Sequence, residues 1–153
     1  MSEGLQVREI QRGDRSAWER LWEGYNAFYG RSGETRLAAD ITATTWERFF
    51  DPAEPVFALV AEREDRLLGL THYLFHRSTT SVAPVCYLQD LFTEPAERNR
   101  GIGRALIEAV YRAATAAGVR EVYWQTHASN GPGRRLYDTV AEHLGFIVYD
   151  REL

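Results

Sequence analysis

The segment Arg98-Asn99-Arg100-Gly101-Ile102-Gly103-Arg104 carries two glycines one residue apart, with three arginines around them. Glycine admits left-handed backbone and lets a ligand approach the chain closely. A helix opening here would direct its unpaired N–H groups and the positive end of its dipole at the same spot, which suits phosphate oxygens. The guanidinium forks of Arg98, Arg100 and Arg104 add paired donors for such oxygens. The turn is not a P-loop, which needs Gly-Lys-Ser/Thr, because the chain has no Lys and all 18 basic residues are Arg. Nor is it a dinucleotide fingerprint, which follows the first strand and is answered by an acid at the end of the next. Here the turn lies two-thirds along the chain, and the strand after its helix ends in Trp124-Gln125-Thr126.

The elements that must position this turn are legible in outline. Leu5–Gln11 alternates as a short strand. Asp14 can cap a helix over Arg15–Tyr29, whose Trp18, Leu21, Trp22, Tyr25, Phe28 and Tyr29 share one face. Thr35–Phe50 reads as a second helix. Val56–Glu62 and Leu67–His76 form a hairpin through Glu64-Asp65, and Val85–Thr93 is a further apolar strand. Ile102–Ala117 is a helix closed by Gly118, Val119–Thr126 a strand, Pro132–His143 a helix and Gly145–Asp150 a last strand. The strand–helix–strand unit from Val85 to Thr126 implies a parallel pair. The expectation is one α+β domain over residues 1–153.

Composition bounds the function. Of 153 residues, 44% are apolar and 26% charged, an ordinary globular balance. A net charge of −4 argues against nucleic-acid binding. Cys86 is the single cysteine, so no disulfide within the chain and no Cys-rich metal site is expected. No run of about 18 apolar residues suggests a membrane span. The start Met1-Ser2-Glu3-Gly4-Leu5 has no basic and apolar signal regions, so a cytoplasmic protein is expected.

Arg98-x-x-Gly101-x-Gly103, preceded by Tyr87-Leu88-Gln89-Asp90-Leu91-Phe92-Thr93-Glu94-Pro95, resembles the signature of the GNAT superfamily of acetyl-CoA-dependent N-acetyltransferases. Asn130, then Arg134-Arg135-Leu136-Tyr137, then Gly145-Phe146 resembles the family's second motif, and the element order matches over the whole chain. Tyr123-Trp124-Gln125-Thr126 with Ser129-Asn130 is similar to the branch holding spermidine/spermine and fungal histone and D-amino-acid acetyltransferases. The resemblance implies a mixed twisted sheet of about six to seven strands flanked by about four helices, acetyl-CoA as co-substrate, no metal, and a homodimer.

By the same resemblance, main-chain groups of Leu91, Phe92 and Thr93 meet the pantetheine arm, and the amides of Asn99, Arg100, Gly101, Ile102, Gly103 and Arg104 hold the pyrophosphate. Arg98 and Arg134 supply further cations. Asn130 contacts the pantetheine, Tyr137 is the acid for the leaving thiolate, and the N–H of Phe92 stabilises the oxyanion. The acceptor is expected among Tyr25, Tyr29, Gln89, Asp90, Trp124 and Gln125, as a small primary amine such as a polyamine or an amino acid. Two other readings stay open: a protein lysine or N-terminal acetyltransferase, and a CoA-binding regulatory domain without turnover.

Two departures stand out. Gln89 occupies the position where the polyamine enzymes often carry an acid, so no general base carries over, and a water chain to His127 or His72 is the fallback. The spacing from Tyr137 to Gly145 is also about one helical turn longer than in those enzymes. Residues 1–97 carry a net charge of −6 and residues 98–153 one of +2, a division matching a cationic amine and an anionic CoA.

Overall fold

The longest strand, Arg66–His76, lies at the centre of a five-stranded sheet in the computed structural model, which describes residues 4–153. The signal-peptide reading of the chain start falls partly on residues 1–3, outside the described residues. In chain order the elements are β1 (Gln6–Glu9), α1 (Arg15–Phe28), α2 (Ala39–Arg48), β2 (Val56–Arg63), β3 (Arg66–His76), β4 (Val85–Thr93), α3 (Ile102–Ala116), β5 (Val122–Tyr123) and α4 (Gly131–Val140). The strands stand in the order β1-β2-β3-β4-β5. The first four pair antiparallel. β5 pairs parallel to β4, as a crossover through α3 requires. Glu64 and Asp65 turn the β2–β3 hairpin with φ of +51° and +60°, a pattern of the two-residue turns that match strand twist.

The two sheet faces are covered by different helices. On one face α1 buries Trp18, Leu21, Trp22 and Tyr25 against Trp46 of α2, Leu70 and Phe92. On the other, Ile107, Val110 and Ala114 of α3 pack on Leu59, Tyr73, Cys86 and Leu88. No helix among the described residues is long and apolar enough to cross a membrane.

Four expectations need correction. The second helix begins at Ala39, not Thr35, because Gly33–Thr35 closes a separate 3-10 turn in which the Thr35 hydroxyl donates to the carbonyls of Gly30 and Ser32. Asp14 precedes α1 but makes no side-chain cap; its carboxylate accepts from Arg8 and from the N–H of Gln11. The strand expected over Val119–Thr126 contracts to Val122–Tyr123. Gly145–Asp150 is not paired, so the described residues form five strands and not six or seven. β5 is short because it meets β4 at Cys86 and Tyr87 alone before the two strands part.

Candidate active site

β4 and β5 pair only at Cys86 opposite Val122 and Tyr87 opposite Tyr123. Beyond Tyr87 the two strands part, and the edge of β4 up to Thr93 has no strand beside it. Ladder alternation decides which main-chain groups face that gap. The N–H of Glu94 donates to the carbonyl of Leu68 at 2.8 Å. At steps of two, Phe92 and Asp90 therefore also direct their main-chain groups at β3, while Leu91 and Thr93 direct theirs into the gap.

The oxyanion role expected of Phe92 is corrected on this ground: its N–H belongs to the β3 ladder. Its ring packs under Gly24 of α1, where a Cβ would come within 2.8 Å of it. Leu91 and Thr93 keep the exposed main-chain edge that the sequence assigned to the pantetheine arm.

A bulge sets this phase. Asp90 pairs with His72 and Leu88 with Tyr73, leaving Gln89 as the extra residue. Before the bulge Cys86 and Leu88 face α3; after it Leu91 packs on that side and Phe92 turns to α1.

Beside the bulge opens a narrow cleft lined by Tyr25, Tyr29, Leu88, Gln89, Leu91, Ile107, Trp124, Gln125 and Tyr137. Tyr25, Tyr29, Gln89, Trp124, Gln125 and Tyr137 are brought together here, although they come from four separate stretches of chain. Tyr137 meets Trp124 edge to face, ring centroids 5.5 Å apart. Burial, with Tyr29 nearby, pushes the Tyr137 hydroxyl above the usual phenol range, so it keeps its proton. The lining holds no charged side chain.

Asp90 does not line the cleft. It is buried on the α1 side, where its carboxylate accepts from Nδ1 of His72 at 2.8 Å. Burial and then this carboxylate hold the Tyr25 hydroxyl far above the phenol range. His72 is removed as a base open to water, since it is only 3% exposed under the Trp18 indole. His127 is exposed and stands beside Tyr29, with ring centroids 5.9 Å apart. Arg31 was not singled out from the sequence. Its guanidinium lies 5.9 Å from the Tyr25 ring and 5.5 Å from the Tyr29 ring, held by Nε to Asn26 Oδ1 at 2.6 Å. It follows Tyr29 by two residues, and the left-handed turn at Gly30 folds it back against the end of α1.

The glycine turn behaves as its residue types require. Gly101 has φ +83° with open space where a Cβ would stand, and Asn99 has φ +64°. Gly103 instead serves close packing: a Cβ there would sit 3.2 Å from Leu136 of α4. Ile102, Gly103 and Arg104 open α3, whose first amides have no partner within the helix. Nε of Arg98 donates to the carbonyl of Thr93, Arg100 pairs with Glu97, Arg104 donates to the Thr139 hydroxyl and Arg134 to the carbonyl of Ala128. Each such contact engages part of a guanidinium and leaves other N–H donors. Asn130 caps α4 through Gly133 N and donates to the Thr126 hydroxyl, so its expected ligand contact must share the amide with two protein bonds. The open β4 edge and the unpaired helix start fit an extended arm ending in phosphates. No described group of three His, Cys, Asp or Glu side chains is placed to hold a metal ion.

Comparison with known proteins agrees with this geometry. The model of the acetyltransferase (GNAT) family matches residues 17–146. A D-amino-acid N-acetyltransferase of Saccharomyces cerevisiae is 33% identical over 99% of this chain and 92% of its own length. An aminoglycoside N(6')-acetyltransferase of Salmonella typhimurium is 28% identical over 96% and 94%. A mycothiol acetyltransferase of Thermomonospora curvata is 30% identical, but the chain spans only 46% of it. Among solved structures, an aminoglycoside acetyltransferase bound to a CoA bisubstrate analogue shares the fold, with a TM-score of 0.83 and 19% identity over 99% of both chains.

Proposed function

This chain belongs to the acetyltransferase (GNAT) family and is an acetyl-CoA-dependent N-acetyltransferase; from that premise we propose that its acceptor is a small amine that also carries a carboxylate, an amino acid above all. The observation that carries this reading is the Arg31 guanidinium set against Tyr25 and Tyr29, beside a cleft whose lining has no acid. A polyamine would meet no carboxylate on those walls. An amino acid finds phenol and amide oxygens for its amine and a guanidinium fork for its carboxylate. The similarity to a D-amino-acid N-acetyltransferase supports the same choice. The protein would act in the cytoplasm as a homodimer.

The thioester supplies the acetyl group and a thiolate leaving group. An aliphatic amine has a pKa near about 10 and must lose a proton before it attacks. Leu91 offers its N–H to the oxyanion from the open edge of β4, and Tyr137 offers its hydroxyl proton to the departing sulfur. Gln89 cannot act as base, so the amine proton leaves by water on the side of His127 and Tyr29. Main-chain groups of Leu91 and Thr93 hold the pantetheine arm, and the amides from Asn99 to Arg104 hold the pyrophosphate.

The test is thiol release from acetyl-CoA with D- and L-amino acids, polyamines, aminoglycosides and peptides. Cys86 is fully buried and its thiol is pushed up to about 12 by that burial, so a thiol reagent reads CoA alone. Amino acids should be the preferred acceptors. Arg31→Gln should raise their KM roughly tenfold, the value of one charge-assisted pair, and leave amines without a carboxylate unchanged. Turnover with peptides or polyamines only would overturn the proposal.

A further inference from the structure

β4 and β5 are joined at two positions only, and the second, Tyr87 opposite Tyr123, is the last before they part. Cys86, Leu88 and Val122 pack on the α3 side, so by strand alternation Tyr87 and Tyr123 stand on the opposite face of the sheet. Their rings stack across the two strands, with centroids 4.9 Å apart and 21° between planes. The stack stays open to solvent: Tyr123 is 40% exposed and Tyr87 half-buried.

His76 of β3, on the same face, locks the stack. Its Nδ1 lies 2.8 Å from the carbonyl of Arg77, which can only accept, so Nδ1 carries a proton. With the ring neutral, Nε2 accepts from the Tyr123 hydroxyl at 2.8 Å, and the imidazole meets that phenol edge to face, centroids 5.7 Å apart. Solvent-facing positions of an antiparallel sheet are ordinarily polar. Three rings fixed to one another at such positions make a preformed shelf, apolar in body and polar at its tips, on which a further ring can pack.

The shelf is continuous with the acceptor cleft. Tyr87 precedes Leu88 and Gln89, and Tyr123 precedes Trp124 and Gln125, all of which line the cleft. Burial, then the Asp90 carboxylate and the Tyr123 and Tyr29 hydroxyls, push the Tyr87 hydroxyl above the phenol range, so Tyr87 lies within the field of the cleft's own Tyr29. The direction of approach points the same way. The pantetheine arm, held by Thr93 and Leu91 as proposed, comes along the open edge of β4 from the α3 end. The acceptor then meets the thioester from the other end of the gap, where the strands join at Tyr87 and Tyr123.

We propose that Tyr87 and Tyr123 form the subsite for the acceptor's side chain, and that this side chain is an aromatic ring. The proposal rests on the small-amine reading and narrows it: the amine enters the cleft, Arg31 takes the carboxylate, and the ring adds to the tyrosine stack. An aliphatic chain would gain burial there without the ring-on-ring contact.

The experiment is thiol release from acetyl-CoA with phenylalanine against alanine, each as both enantiomers. 2-Phenylethylamine against propylamine makes the same comparison without a carboxylate. kcat/KM should be at least about tenfold higher for the aromatic member of each pair, chiefly through KM. In Tyr87→Ala with Tyr123→Ala that ratio should fall to within about threefold of one, while calorimetry shows CoA binding within about threefold of the parent. His76→Ala, which frees the Tyr123 ring without removing it, should give an intermediate ratio. Ratios near one in the parent, or an aromatic preference that survives the double substitution, would overturn the shelf and leave the amino-acid reading standing. Refusal of both amino acids with 2-phenylethylamine preferred to propylamine would uphold the shelf and overturn the amino-acid reading. Refusal of all four amines would overturn both.

Discussion

The indole N–H of Trp18 donates to Nε2 of His72 at 3.0 Å, and this places the ring proton of His72 on Nδ1, facing Asp90. An indole can only donate, so Nε2 must accept. Nδ1 then donates to the Asp90 carboxylate, which in turn stands beside Tyr25 at the cleft wall. A line of fixed polarity thus runs from the α1 core to the acceptor site.

His72→Ala removes the middle of that line, leaving the buried indole N–H of Trp18 without a partner and the buried Asp90 carboxylate without its imidazole donor. Stability should fall by about 2–4 kcal/mol, read from urea unfolding. Trp18→Phe removes one neutral bond and should cost about 1 kcal/mol through that bond, besides its packing. Equal stability of His72→Ala and the parent would show that the network is not formed. Nitrogen shifts of the His72 ring at neutral pH should report the Nδ1–H tautomer.

Tyr137→Phe should lower kcat by about 100-fold, the usual contribution of a positioned acid, with the Kd for acetyl-CoA changed by less than about threefold. The pH profile carries the sign. Because burial raises the Tyr137 hydroxyl above its usual value, the acid stays protonated through the pH range in which the amine becomes neutral. The parent rate should therefore climb towards about pH 10 without an alkaline fall assignable to this residue. A fall below pH 9 that vanishes in Tyr137→Phe would contradict the raised value.

Gly101→Ala tests the phosphate turn. At φ +83° an alanine is strained by about 1–2 kcal/mol. The backbone would relax away from the geometry that aims the first amides of α3. Calorimetry should show CoA binding weakened by about tenfold, with a smaller loss for a truncated pantetheine lacking phosphates. Equal losses for both ligands would place the phosphates elsewhere.

Asp14 gives a stability prediction in acid. The paired Arg8 guanidinium, with the Gln11 N–H, holds its carboxyl below the ordinary value in the folded state. A group lowered on folding stabilises above its unfolded pKa of about 3.9 and loses that contribution as pH falls through the folded value. Asp14→Asn should cost about 1 kcal/mol at pH 7, allowing for partial solvent screening. The gap to the parent should close below about pH 4. A gap that does not narrow in acid would show that the pair contributes nothing through its charge.

The helices α1 and α3, the β2–β3 hairpin and β4 were legible in sequence because their signals are local: apolar spacing, a two-residue turn, a glycine stop. The phosphate turn was legible for the same reason, since Gly101 must take a left-handed φ whatever surrounds it. Which of Leu91, Phe92 and Thr93 turn their main-chain groups to the open edge was not, because the bulge at Gln89 sets it, and an extra residue in one strand reveals itself only against the strand paired with it. Trp18, His72 and Asp90 are separate in sequence, and only the stacking of α1 on β3 and β4 makes them one network. Arg31, by contrast, is a sequence neighbour of Tyr29, and it acquires meaning from the cleft that the fold places beside them. Gly145–Asp150 shows the converse: its residue types alone make it a strand, yet whether a strand forms depends on pairing, and among the described residues it is paired with none. Residue types and spacing, being local, determined the chemistry available to this protein. The tertiary structure decided which groups meet, because pairing register and helix packing are relations between distant segments.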